Sequence, residues 1–363
     1  MAKEIRVTVT GGSGFIASHC IIQLLNEGYN VTATLRSLSR EKELRNIIKE
    51  NIIKQDQGVH KPNEKKDSSF VDKQLNFVEA NLSSDENWDD AIKGSTYILH
   101  VASPFFTTLP KNAEEELYKP ARDGALRVLS AASRQKVQRV VITSSMAAIS
   151  YGHSGIKQSA LLDEGTWTDI SGGDVTPYII SKTIAEKAAW DFINTDKSGL
   201  ELVSINPSAV LGPVLEKDFG SSAQIIRKLM NREIPGLPRM GFQIVDVRDV
   251  AKAHVKAMVM PDAKGKRIAL TDRFVWFKEI AEILQEEFGT KGMKIPQRTI
   301  PDFFVRMFAL VDKETKSVLN ELGIQRELSN ERMKNFLGIT PIPAREAILE
   351  TARTLIAHGL VKS

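Results

Sequence analysis

IRVTVTGGSGFIASHCIIQLLNEG, the sequence of residues 5–28, decides the fold of this 363-residue chain. Branched side chains alternate through residues 5–9, as they do in strands. Three glycines follow, and they let the backbone turn sharply and come close to a ligand: Gly11, Gly12 and Gly14. From Phe15 onward apolar residues recur near helical spacing, and Gly28 is suited to end the helix. The stretch therefore predicts a strand, a glycine turn and a helix.

This turn has the chemistry of a phosphate site. A helix that begins just after a glycine turn directs free N–H groups and a partial positive charge at the space above the turn. The spacing Gly11-x-x-Gly14-x-x-Ala17 is looser than the G-x-G-x-x-G pattern of dinucleotide-binding proteins, but the small Ala17 takes the place of the third glycine. An ordinary tight strand–helix turn would look similar. The strand–turn–helix context favours dinucleotide binding.

The composition excludes several other classes of protein. The chain is 42% hydrophobic, which suits one large α/β domain or a domain with a smaller appendage. The net charge is only +4 and the basic residues form no long run, so we expect no nucleic-acid partner. The single cysteine, Cys20, excludes an intrachain disulfide and is expected to pack inside the first helix. Without a leader pattern or an apolar run long enough for a bilayer, we expect a cytoplasmic protein with no membrane partner.

The second predicted strand, residues 31–35, ends at a cation. In doubly wound folds an acidic residue near this strand end binds the ribose 2′-hydroxyl of NAD, whereas an arginine accommodates the 2′-phosphate of NADP. The chain has Arg36 here, with Arg40 and Lys42 close behind, and no acid stands at the strand end itself. This pattern favours NADPH. A solvated, charged start of a helix would also look this way.

Strands and helices alternate along this part of the chain. Helices are predicted at residues 85–92, capped by Ser84, and at residues 114–136, with irregularities at Pro120 and Gly124. Further strands are predicted at residues 75–80, 97–102 and 139–143. The pattern indicates an α/β fold with a Rossmann-type doubly wound parallel sheet, in which ligands bind at the carboxyl ends of the strands.

Tyr178 and Lys182 carry the chemistry. They are four residues apart on a predicted helix that Thr176 can cap, so they share one face. A nearby ammonium stabilises a phenolate and lowers the pKa of the tyrosine, which can then exchange a proton with a carbonyl or alcohol oxygen. Ser145, or its neighbour Ser144, ends the fifth strand and could donate a hydrogen bond to the same oxygen. Together with a nicotinamide, these groups predict a hydride-transfer site that needs no metal.

The chain resembles the extended short-chain dehydrogenase/reductase family. Within it, the chain is similar to the branch of dihydroflavonol reductases, cinnamoyl-CoA reductases and NADPH aldehyde and ketone reductases. The matching motifs occur in family order over about two thirds of the chain: residues 10–17, Arg36, and residues 100–104, 139–145, 178–182, 206–213 and 245–251.

The resemblance implies roles for particular residues. Tyr178 would be the proton donor, Lys182 its electrostatic partner and Ser145 the group that polarises the carbonyl. The implied cofactor contacts run from the pyrophosphate to the nicotinamide: Gly11, Gly14, Phe15, Ile16, Arg36 with Lys42 or Arg40, Asn81, Leu82, Val101, Ala102, Ser103, Tyr178, Lys182, Pro207, Val210 and Ser222. The family usually has Asp where Asn81 stands, so the adenine contact there is expected to differ.

The remaining chain is expected to form the substrate part. We predict a dinucleotide-binding domain of residues 1–206, with residues 244–271 returning to it as a strand and helix. A smaller, mostly helical substrate-binding cover is predicted at residues 207–243 and 272–363, with a helix near its start at residues 221–232. Three charged residues near the returning strand are interpreted as an ion-pair and capping arrangement rather than as catalytic carboxylates: Asp246, Arg248 and Asp249.

Apolar side chains after the strand ends point to the substrate. Phe105, Phe106 and Met146 are expected to contact it, which favours a hydrophobic aldehyde, ketone or enone. The six histidines include no pair at metal-ligand spacing. We therefore predict NADPH-dependent reduction of an aldehyde or ketone by a monomer or homodimer. The alternatives are an NAD-using sugar-nucleotide epimerase or dehydratase and a non-catalytic NADP-binding protein.

Overall fold

The chain forms two compact units. The computed structural model describes residues 4–55, 68–104, 111–153, 160–217, 219–234, 236–310 and 319–362. The first unit comprises residues 1–144, 181–205 and 251–268. The second comprises residues 145–180, 206–250 and 269–363.

A seven-stranded sheet organises the first unit. Its strands are, in chain order, β1 (Arg6–Val9), β2 (Asn30–Leu35), β3 (Leu75–Glu79), β4 (Tyr97–His100), β5 (Arg139–Thr143), β7 (Glu201–Pro207) and β10 (Arg267–Leu270). The order across the sheet is β10-β7-β5-β4-β1-β2-β3, and the five pairs from β7 to β3 are parallel. This is the doubly wound Rossmann-type order, in which the strand sequence reverses between β1 and β4. The predicted fold class is confirmed.

Apolar helix faces cover this sheet. The helices of the first unit are α1 (Phe15–Asn26), α2 (Glu41–Gln55), α3 (Phe70–Gln74), α4 (Trp88–Ile92), α5 (Lys119–Arg134), most of α6 (Pro177–Thr195) and most of α8 (Val247–Val259). On one face, Trp88 of α4 and Leu129 of α5 pack in one core with Ile98 and Val140 of the strands. Burying side chains of this size stabilises the fold by about 2 kcal/mol each.

Two predicted helices differ in detail from those observed. The helix expected at residues 85–92 begins only at Trp88, because Asn87 has a left-handed backbone with φ 64°. Ser84 does not cap it; its hydroxyl accepts a hydrogen bond from the Glu86 N–H at 3.2 Å and closes a turn instead. The helix expected at residues 114–136 starts with a π-helical turn, Glu114–Tyr118, and becomes α-helical just before Pro120, whose ring nitrogen cannot donate a helix hydrogen bond.

The second unit has its own small sheet. Strand β9 (Gly241–Asp246) lies between β8 (Ala209–Leu211), to which it is parallel, and β11 (Arg273–Trp276), to which it is antiparallel. We expected the strand near residue 245 to return to the large sheet. That strand, β9, pairs in the small sheet instead, and the strand that joins the large sheet is β10. A further short parallel pair, β6 (Leu161–Leu162) with β12 (Glu327–Leu328), was not predicted.

Three helices build the core of the second unit. They are α7 (Ser221–Met230), α9 (Phe277–Phe288) and α11 (Ala344–Ala357); the short α10 (Asp302–Phe308) precedes α11. The side chains of Leu229, Leu284 and Ile348 are fully buried in one cluster. Among the described residues, no helix combines the length and the apolar character needed to cross a membrane.

The charged residues at the end of β9 are structural, as interpreted from the sequence. The buried Asp246 accepts hydrogen bonds from the Arg248 backbone at 2.8 Å and from the Arg248 guanidinium at 2.8 and 2.9 Å. Asp249 accepts a hydrogen bond from the Ile342 N–H at 2.7 Å. Both carboxylates thus hold backbone of the second unit in place.

One buried arginine ties strands β5 and β7 to helix α8. Arg139 is 2% exposed and donates to Glu201 at 2.6 and 2.9 Å. It also donates to the backbone carbonyls of Ala257 and Met258, at 2.9 and 3.1 Å, near the end of α8. We expect Arg139→Ala to lower the free energy of unfolding by about 3 kcal/mol, because it leaves a carboxylate and several carbonyls without a partner. Denaturant unfolding measures this; Arg353→Ala, which removes an exposed ion pair with Glu287, should cost less than about 1 kcal/mol.

Candidate active site

Two positions of the turn after β1, Gly11 and Gly12, have no room for a side chain. Gly11 has a positive φ of 69°, and a Cβ built on it would lie 2.9 Å from the Cβ of Ala102. A Cβ on Gly12 would lie 2.9 Å from the Cβ of Ala33. Helix α1 starts directly after Gly14 with no side-chain cap and no acid in its first turn. Its first N–H groups are thus available to an anion, and the cradle fits the pyrophosphate of a dinucleotide.

The cations after β2 differ in how they are engaged. Arg40 forms an ion pair with Glu43 at 3.1 Å. Arg36 and Lys42 are exposed, and no ion pair engages either of them within the described part of the chain. A 2′-phosphate would therefore meet two uncommitted cations at this strand end.

The residues expected beside the adenine lie at the end of β3. Asn81 is exposed, and its side-chain oxygen accepts a hydrogen bond from the Ser83 N–H at 3.0 Å. The Leu82 carbonyl accepts a hydrogen bond from Arg127 at 2.7 Å, and the Leu82 side chain lies close to Gly124 of α5. Both residues are thus fixed at the edge where ligands bind in this fold.

Lys182 reaches the same edge of the sheet from helix α6. A small cavity of about 30 Å³ in the first unit is lined by strand-end residues and by side chains of α6; its wall includes Leu82, Ala102, Ser103, Ser144, Lys182 and Glu186. Ala102 is the residue that approaches Gly11. The structure therefore brings Lys182 to the edge that carries the glycine turn.

His100 lies beneath this cavity and is neutral. Its Nδ1 is hydrogen-bonded to the Thr10 hydroxyl at 2.8 Å, and that hydroxyl accepts a hydrogen bond from the Ala102 N–H at 3.0 Å. Burial lowers the pKa of His100 to about 3, and the charge of Lys182 acts in the same direction. His100 therefore links the ends of β1 and β4 and carries no charge near neutral pH.

The two serines after β5, Ser144 and Ser145, have different hydrogen-bond partners. Ser145 is hydrogen-bonded to Tyr178 and also accepts from the Ala147 N–H at 3.1 Å. The Asn206 side chain donates to the Ser145 carbonyl at 3.1 Å and fixes its backbone. Ser144 instead donates to Glu186 at 2.5 Å. Ser145 is thus the serine that meets the phenol, whereas Ser144 is engaged by Glu186.

The direction of the Tyr178 pKa differs from the expectation. We expected Lys182 to lower it, but desolvation raises the pKa of Tyr178, and the opposing effect comes from Ser145. The residue is still 43% exposed, so this desolvation is incomplete. Burial lowers the pKa of Lys182 to about 8, and the charge of Glu186 raises it. The phenol is protonated near neutral pH, as a proton donor must be.

The other expected contact residues are distributed over the second unit. Pro207 ends β7, Val210 lies in β8 and Ser222 in α7. Met146 packs against a small buried cluster of Ile149, Ala269 and Leu328. Phe105 and Phe106 lie outside the described residues. Within the described ranges, no group of three or more His, Cys, Asp or Glu side chains could hold a metal ion.

Sequence reasoning missed two residues of the site. Glu186 follows Lys182 at the same four-residue spacing that links Tyr178 to Lys182, so helical periodicity could have identified it. Asn206 occurs in a motif that the resemblance included, but its contact with the Ser145 carbonyl joins residues 61 positions apart. No local signal reveals such a contact.

The strand order, the glycine turn and the Ser–Tyr–Lys set define a Rossmann-type protein of the extended short-chain dehydrogenase/reductase class. The model of the NAD dependent epimerase/dehydratase family matches residues 7–270, and the chain belongs to this family. A cinnamoyl-CoA reductase of Medicago truncatula is 32% identical over 343 residues, 92% of this chain and 97% of that protein.

Solved structures agree with this assignment. Gre2 of Candida albicans, in complex with NADPH, superimposes with a TM-score of 0.76 at 30% identity over 98% of this chain and 99% of that one. Yeast Gre2, a methylglyoxal/isovaleraldehyde reductase complexed with NADPH, gives a TM-score of 0.77 at 27% identity over 98% and 100% of the two chains.

The close approach of Gly11 to Ala102 can be tested by a substitution that adds one methyl group. We expect Gly11→Ala to lower the free energy of unfolding by about 2 kcal/mol, since it combines an unfavourable positive φ with an overlap against Ala102. The matched control is Gly173→Ala, where an added Cβ meets no atom within 4 Å. Thermal unfolding of both variants measures the difference, and equal midpoints would contradict the tight packing of this turn.

Proposed function

We propose that this protein is an NADPH-dependent reductase that converts an aldehyde or ketone to the alcohol. The observation that carries the proposal is the hydrogen-bonded pair Ser145–Tyr178, with Lys182 one turn further along the same helix. Lys182 lines a cavity at the strand ends that also carry the glycine turn. The relatives described above are named as reductases, which supports the same chemistry.

The reaction needs one hydride and one proton. NADPH, when bound, supplies the hydride to the carbonyl carbon. Tyr178 donates its phenolic proton to the carbonyl oxygen, and Ser145 donates a hydrogen bond that polarises the carbonyl. The ammonium of Lys182 stabilises the phenolate that remains and reaches the hydroxyls of the nicotinamide ribose.

The cofactor contacts follow the order of the strand ends. The turn from Gly11 to Gly14, with the N–H groups of Phe15 and Ile16, cradles the pyrophosphate. Arg36 and Lys42 bind the 2′-phosphate. The remaining contacts flank the adenine, line the floor of the site and border the nicotinamide: Asn81, Leu82, Val101, Ala102, Ser103, Pro207, Val210 and Ser222.

We infer an apolar carbonyl compound as the substrate. Met146 is next in sequence to the proposed catalytic Ser145, and its side chain packs against the buried cluster of Ile149, Ala269 and Leu328. The names of the relatives refer to cinnamoyl-CoA, methylglyoxal and isovaleraldehyde. Contacts of Phe105, Phe106 and Met146 with the substrate stay predictions. We expect the enzyme to act in the cytoplasm as a monomer or homodimer.

A carbonyl panel tests the activity. Pure protein is incubated with NADPH and a set of aromatic and aliphatic aldehydes and ketones, and the loss of nicotinamide absorbance is followed. We expect turnover of apolar members. Folded protein that turns over no member would contradict the proposal, and NAD that remains bound through purification would favour an epimerase or dehydratase instead.

Tyr178→Phe separates proton donation from cofactor binding. We expect this variant to lose at least about 100-fold in kcat, since it removes the proton donor but keeps the ring. Its Kd for NADPH, measured by fluorescence titration, should stay within about twofold, because the hydroxyl contributes little to holding the cofactor. Turnover equal to that of the wild type would overturn the role of Tyr178.

Arg36→Ala tests the cofactor preference. Loss of a charge-assisted contact to the 2′-phosphate should raise the KM for NADPH by about tenfold and leave the KM for NADH nearly unchanged. Arg40→Ala is the matched control, because Arg40 is already paired with Glu43. Steady-state kinetics with both cofactors measures the split; an equal effect on NADH would show that Arg36 does not contact the phosphate.

A further inference from the structure

Glu186 is a buried carboxylate whose two oxygens both accept hydrogen bonds. The residue is 1% exposed, and its oxygens accept hydrogen bonds from Arg267 at 2.7 and 3.3 Å. Ser144 donates to it at 2.5 Å, and the indole of Trp190 donates at 3.2 Å. A charge this deeply buried is costly unless paired, so the ionised form is held by Arg267 and by the two neutral donors.

Glu186 lies on the same helix and the same cavity wall as Lys182, so its role extends beyond holding the fold together. The two side chains are four residues apart on α6, and both line the small cavity at the strand ends. The ion pair with Arg267, from the start of β10, therefore lies on the same cavity wall as the lysine. Ser144, from the end of β5, orients the carboxylate from the other side.

The charged and titratable groups around Lys182 are few. His100 faces it from β4 and is neutral because burial holds its pKa near 3. Tyr178 precedes it by one turn on α6, and its pKa is raised, so it too is neutral near pH 7. Arg267 reaches the set from β10 but is bound to Glu186. Glu186 is thus the anion that faces Lys182 in the described part of the first unit.

We propose that Glu186 is a positioning residue of the reductase: held by Arg267 and Ser144, its fixed negative charge keeps Lys182 protonated in a cavity that would otherwise favour the neutral amine. This inference rests on the proposed function of Lys182. The pKa of Lys182 near 8, which burial lowers and Glu186 raises, agrees with it. Lys182 and Glu186 are then a pair one turn apart on α6, in which the carboxylate sets the protonation state of the amine.

Glu186→Gln tests the proposal, because glutamine keeps the shape of the side chain and removes its charge. An opposite charge at this range shifts a pKa by about one unit or more. We expect the alkaline limb of the kcat/KM profile, which reports loss of the Lys182 proton, to move to lower pH by about one unit. Activity at pH 8 should fall about fivefold, while activity near pH 6 stays within about twofold.

Two variants control for structural damage. Glu186→Asp keeps the charge and should restore most of the wild-type profile. Glu201→Gln removes the carboxylate partner of the buried Arg139 at the opposite, amino end of the sheet, and should leave the profile unchanged. If Glu186→Gln fails to fold, Glu186→Gln combined with Arg267→Met avoids a buried arginine without its partner. Because the second change also removes a positive charge, the alkaline limb should still move to lower pH, but by less than in Glu186→Gln.

A second readout does not depend on turnover. Lys182 is labelled with a small amine-reactive reagent over a range of pH, and the extent of labelling is measured by mass spectrometry. The pH dependence reports the pKa of the Lys182 amine in the wild type and in Glu186→Gln. A lower labelling pKa in the variant supports the positioning role even if the carbonyl panel shows no activity. Superimposable labelling curves and superimposable rate profiles would overturn it.

Discussion

The close approach of the Gly11 backbone to Ala102 is the contact on which the rest of the structure depends, and only a glycine can make it. Where the strand order reverses between β1 and β4, the backbone of Gly11 approaches Ala102 so closely that a Cβ would overlap it. The hydroxyl of Thr10 reinforces this junction, because it bonds both His100 and the Ala102 N–H. The sheet thereby opens a crevice at its carboxyl edge, with the free N–H groups of α1 beside it.

Helix α6 brings Lys182 and Glu186 to the cavity at that edge, because residues four positions apart share one helix face. Its residues return to one face about every four positions, so Tyr178, Lys182 and Glu186 form a row. Ser145 forms a hydrogen bond with the phenol, and the ion pair with Arg267 at 2.7 Å holds the Glu186 carboxylate in place.

Sequence patterns located the elements better than their ends. The stretch from β1 to Gly28 was predicted with its turn and its helix because branched residues, glycines and apolar periodicity all agree there. The start of α4 was missed because it depends on Asn87 adopting a left-handed backbone, a choice that the sequence does not mark. The place of β9 in the small sheet was also missed, because it depends on pairing with β11, which follows nearly thirty residues later.

The sequence by itself determined the Rossmann-type fold, the phosphate-binding turn and the shared helix face of Tyr178 and Lys182, because each is set by residues close together in the chain. Only the tertiary structure decided that Ser145 pairs with Tyr178 while Ser144 pairs with Glu186. It also decided that Arg267, 81 positions away, forms an ion pair with that carboxylate and holds it in place. Adjacent serines in an extended strand point to opposite sides, and which side meets which partner depends on how the strands and helices pack.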